Sequence, residues 1–161
     1  MKIFKFTIIA ILFLYSQFLL APEFELFKVI PNFLLAFIFF SGMEINEYAA
    51  LTIAFFLGLA FDLTYPALFG FNAMIFVVIT YIIVKIHKSV SMDKISTVLS
   101  VSLMLNLFYY IFFFIFYALN YNFADKLFYS FLISILYNTL ITSMVVFVLI
   151  ILNKLKISFN A

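Results

Sequence analysis

No cysteine occurs anywhere in this chain. That excludes disulfides, thiolate nucleophiles and cysteine-held metals, and it leaves the redox compartment open. The only histidine is His87. With no second imidazole and no thiolate, an ordinary transition-metal site cannot be assembled. The three glycines lie far apart, so no phosphate-cradling loop is present. Charge is scarce as well. Charged residues make up 10% of the 161, and a net charge of +2 is far below the footprint of a nucleic-acid binder. No cofactor and no nucleic-acid partner is expected.

What is present is apolar. Hydrophobic residues make up 68% of the chain and mean hydropathy is +1.29. A soluble domain is roughly 45–50% apolar and about 25% charged. In water this chain would expose large apolar patches, so the lipid bilayer is its expected solvent. The expected fold class is an all-α integral membrane protein, a six-helix transmembrane bundle forming one domain over residues 1–161. Apolar runs place the spans at about 3–20, 26–41, 48–63, 72–86, 95–119 and 127–152. Lys2 and Lys5 before the first run suggest a signal peptide. Leu19 and Pro22 around Ala21 make a poor cleavage site, and the segment reads as a retained first helix. Pro31 falls near the start of the second span, where first-turn amides need no intrahelical partner. Gly42 and Glu44 read as loop.

Lysine placement sets orientation. Six spans with a cytoplasmic N-terminus put Lys2, Lys5, Lys85, Lys88, Lys94, Lys154 and Lys156 inside, and Lys28 and Lys126 outside. If the second run does not cross, six of the nine lysines fall outside. The positive-inside bias therefore favours six spans with both termini cytoplasmic. His87, between Lys85 and Lys88, reads as a solvated boundary residue.

Residues 58–73, GLAFDLTYPALFGFNA, hold the candidate site. Asp62 is the one acid expected inside a span, near its outer end. Buried carboxylates in hydrocarbon are costly, so such a residue is a functional candidate. It can also sit at headgroup level, or accept hydrogen bonds from the amides that open the next helix. Asn72 can cap that helix. Gly58, Asp62, Pro66, Gly70 and Asn72 are the candidates for a turn or partner surface. Ala50, Ala54, Gly58 and Asp62 recur every four residues as a small-residue ridge, which lets helix backbones approach in lipid. Ser130, Ser134, Asn138 and Thr142 repeat that spacing on the last helix as packing candidates. No nucleophile–base pair can form within the membrane, so the expected mode of action is binding rather than catalysis.

These residues resemble the MreD family of bacterial rod shape-determining membrane proteins. The likeness rests on Gly58-Leu59-x-x-Asp62 followed by Gly70-x-Asn72-Ala73. The proline-led PNFLL of residues 31–35 and the LYNTL of 136–140 resemble the family's second and last spans. Pro66 falls nearer the acid than is usual in the family. The resemblance implies a bacterial cytoplasmic-membrane scaffold of cell elongation and peptidoglycan synthesis. The implied partners are a single-span MreC-type protein and, directly or indirectly, MreB, RodA and a class B transpeptidase. The family also resembles, in fold, the substrate-binding subunits of energy-coupling-factor transporters, and such a subunit is the alternative expectation. Those subunits usually carry Ala-x-x-x-Ala on helix 1, and here only Ala10 stands.

Overall fold

The structure is a computed structural model describing residues 2–64, 69–120 and 125–159, with side chains described except at 119–120, 125–127 and 156–159. Pro66 and the side chains of Lys126 and Lys156 therefore lie outside the described residues. Among the described residues six α-helices follow one another: α1 (Lys2–Leu19), α2 (Phe33–Glu44), α3 (Glu47–Asp62), α4 (Phe71–His87), α5 (Ile95–Asn120) and α6 (Asp125–Phe159). A 3-10 turn covers Ala21–Phe24. Among the described residues, three stretches are long and apolar enough to cross a membrane: Lys2–Leu19, Ile95–Ala118 and Phe128–Leu155.

The second helix departs most from the sequence reading. Residues 26–30, expected to be helical, are not. Leu26 and Val29 exchange both backbone hydrogen bonds, at 3.0 and 2.9 Å, around Phe27 and Lys28. Both central residues have positive φ, 51° and 65°. Two left-handed central residues make a tight hairpin turn of the primed kind. Pro31 precedes the helix, and Asn32 caps it by accepting from the Leu35 amide at 3.2 Å. Gly42 and Glu44, expected in a loop, belong to α2.

α2 is only 12 residues long, about 18 Å at 1.5 Å per residue. Its nine residues from Leu34 to Gly42 are all buried. A helix that is apolar all round belongs in an interior, and α2 touches α1, α3, α4 and α6. Sheathed by its neighbours, it is freed from the length that lipid contact would demand. Its phenylalanines join the aromatic core. Phe37 meets Phe13 of α1 at 5.1 Å between ring centroids, and Phe61 of α3 stacks on Phe76 of α4 at 6.4 Å.

α3 and α4 pack along their length, as do α5 and α6. Ala50, Ala54, Gly58 and Asp62 are all buried. At Gly58 an added Cβ would stand 2.3 Å from the Ala73 Cα, so only glycine lets the two backbones meet.

The two ends of the bundle differ in character. One gathers charge. Lys2 pairs with Glu44 at 3.3 Å, and Lys85 and Lys88 pair with Glu47 at 3.1 and 3.6 Å. Lys154 pairs with Asp93. The Lys154 ammonium, helped by the Ser91 hydroxyl, holds the Asp93 carboxyl below its usual range. These exposed pairs add little stability individually. They show that α1, α2, α3, α4 and α6 each bring one end to this lysine-rich face. The opposite end carries Asp62.

Candidate functional site

Asp62 is the last residue of α3 and is 0% exposed. It is not at a solvated surface. Its Oδ2 accepts from the backbone amides of Gly70 at 2.9 Å and Ala73 at 3.1 Å. Its Oδ1 accepts from the Asn72 amide at 3.1 Å and from Asn72 Nδ2 at 2.8 Å. Four donors match the roughly four lone-pair positions of a carboxylate. The otherwise unpaired amides at the start of α4, and the positive end of its dipole, face this one acid. Burial of the charge is thereby offset by charge-assisted bonds.

The sequence left two ways to cap α4, through Asp62 or through Asn72, and the structure gives the role to Asp62 and not to Asn72. Gly70 holds the N-cap position with φ +88°, a conformation glycine adopts without strain. Asn72 lies inside the first turn. Its side chain gives its amide hydrogen to Asp62 and accepts the Tyr109 hydroxyl at 2.8 Å. One amide thus links α3, α4 and α5. Thr64 and Gly70, on either side of residues 65–68, are both described. The Asp62 bond to the Gly70 amide spans that gap.

A second set of amides ties the remaining helices at the same end. Gln17 of α1 donates to the Pro31 carbonyl at 3.0 Å and accepts from the Phe33 amide at 2.7 Å. Asn138 of α6 accepts from the Asn32 amide at 2.6 Å. Each bond serves the backbone that α2 leaves unpaired where it starts beside a proline. Tyr137 reaches across to the Phe24 carbonyl at 2.6 Å. Deeper, Asn106 of α5 donates to Thr142 at 3.3 Å.

The four-residue polar row on α6 is therefore divided. Asn138 and Thr142 are buried and bonded as above. Ser130 is exposed and Ser134 half-buried, and both line a small cavity of about 190 Å³ with Tyr110, Phe114 and Phe131. Gln17, Asn32, Asn106 and Tyr109 were missed by sequence reasoning. Gln17 and Asn106 carried a signal, as lone carboxamides within apolar runs. Asn32 carried one too, directly after Pro31. His87 is exposed at the lysine-rich end.

Fold and site together define a helical membrane protein whose interior amides and one buried acid brace the ends of its helices. A comparison with protein families places the chain more closely. The family described as rod shape-determining protein MreD matches residues 1–156, and the chain belongs to it. It is therefore a membrane protein of the machinery that determines rod shape, in a family known for shape determination rather than for an enzyme activity. No match was found among curated proteins or among solved structures.

Proposed function

We propose that this chain is a non-enzymatic scaffold of the cell-elongation machinery in the bacterial cytoplasmic membrane, acting through a single-span MreC-type partner. The observation that carries this reading is the family match across residues 1–156. The braced α3–α4 end fits the role. Gly58, Asp62, Gly70 and Asn72 hold that end in one shape, and a scaffold needs a fixed surface to present. Contact with MreB, RodA and a class B transpeptidase is direct or passes through the MreC-type protein. Six crossings with both termini cytoplasmic are part of the proposal. Supporting them, five helices bring one end to the lysine-rich face, which is the face the positive-inside bias would keep inside.

The test is co-purification of the tagged full chain from its native membrane. An MreC-type protein in the eluate supports scaffolding. An ATPase module in its place would overturn it in favour of a transporter subunit of the energy-coupling-factor type. Depletion should make rod-shaped cells round or swollen.

A further inference from the structure

A cavity of about 340 Å³ lies at the Asp62 end of the bundle. Ligand sites run about 300–1,000 Å³, so this one has room for a single ring-sized group. Its walls are the aromatic rings of Phe61, Tyr110, Phe113 and Tyr117. Its floor is the amide and phenol network of Gln17, Asn32, Asn72 and Tyr109. Exposed Phe18, Pro22, Ile30 and Thr64 form the rim.

The lining selects by charge. Among the described residues it holds no lysine, histidine or carboxylate. Asp62 stands behind Asn72 with both oxygens turned to α4. A charged guest would lose its hydration and find no counter-ion among the described residues. The lining also disfavours a purely apolar guest such as an acyl chain. Gln17 Nε2 and Asn72 Nδ2 each spend one of two hydrogens on the bonds described. The Tyr110 hydroxyl makes no hydrogen bond among the described residues. An acyl chain would cover these donors without pairing them, which costs free energy.

We propose that this cavity binds a small uncharged ring carrying both hydrogen-bond donors and acceptors. The faces of the ring lie against the aromatic walls, and its polar edge meets Gln17, Asn72 and Tyr110. The ring arrives free from solution or as the headgroup of a neutral glycolipid.

The absence of cysteine supplies the assay. The full chain in nanodiscs, carrying Thr64→Cys, has one thiol, at the cavity rim. Its rate of maleimide labelling is measured with thymine, with methyl β-glucoside, and in nanodiscs containing a monoglucosyl diacylglycerol. The soluble probes are used at roughly 10 mM, where a site of millimolar affinity is nearly saturated. Slowed labelling by a soluble probe supports a free ligand; slowing by the glycolipid alone supports a lipid-borne one. A Lys94→Cys chain, labelled at the far end, should be unaffected. Orotate and glucose 6-phosphate, the charged counterparts, should not protect. Tyr110→Phe should weaken the probe's affinity, read from the concentration dependence of protection, about five-fold, the worth of one hydrogen bond. The proposal is overturned if none of the three uncharged probes protects, if the charged pair protects equally, or if Lys94→Cys is slowed alike. Unchanged protection in Tyr110→Phe overturns the polar edge assigned to the ligand.

Discussion

At Asp62 the structure converts a costly residue into a bonded one, and the substitutions rank accordingly. Asp62→Asn keeps one acceptor oxygen but turns an amide toward two backbone donors. Hydrogen bonds to a charged group contribute about 1.5–3 kcal/mol each, so Asn should lower stability by a few kcal/mol. Asp62→Leu removes every acceptor and leaves the first amides of α4 unpaired, and it should be the worse of the two. Thermal unfolding of the purified protein, with accumulation in the membrane, reads the order. Wild-type stability in Asp62→Leu would sink this account. The glycines separate two kinds of need. Gly58→Ala meets backbone at 2.3 Å and should cost at least about 1–3 kcal/mol through forced separation of α3 and α4. At Gly70 a Cβ meets nothing within 4 Å among the described residues, but φ is +88°. Gly70→Asn should therefore be accepted, and Gly70→Val should cost about 1–2 kcal/mol. Equal melting temperatures for those two variants would show that the turn relaxes.

Among the elements, the connection into α2 carries backbone strain. Phe27 and Lys28 hold a left-handed pair that asparagine and glycine adopt more readily. The double change Phe27→Asn with Lys28→Gly should keep the hairpin and raise the melting temperature. A clear fall would mean that the exposed Phe27 ring contributes more than its backbone strain costs. α2 itself was the hardest element to read. PNFLL resembles a proline-led span, but the apolar run reaches back to Leu26, and nothing in it says that a short helix starting at Phe33 would be wrapped on all sides. Periodicity reports a face only where one face is polar, and Leu34–Gly42 has none. α1, α5 and α6 were plain in the sequence, because hydrophobic length alone identifies a helix that meets lipid.

For the whole molecule, the six-crossing topology is open to direct measurement. Reporter fusions after Ala21, Asn46, Lys88 and the C-terminus should read outside, inside, inside and inside. An outside C-terminus would remove one crossing and reverse the lysine bias. His87→Ala should leave cell shape unchanged, since the residue is exposed and stands away from the Asp62 end. Loss of function in that variant, with normal accumulation and partner binding, would move the activity to the lysine-rich face. The sequence by itself determined the membrane as solvent, the helical class, the family likeness and the α3–α4 motif. Each depends on composition or on residues within about 16 positions of one another. Only the tertiary structure decided that Asp62 caps α4, that Asn72 links it to Tyr109, and that Gln17 and Asn138 serve the start of α2. Those bonds join residues 8 to 106 positions apart, and even the short ones join different helices or a helix to the segment before another. In an apolar interior a polar group must find a partner, but which partner it finds depends on how the helices are arranged, and local pattern does not encode that.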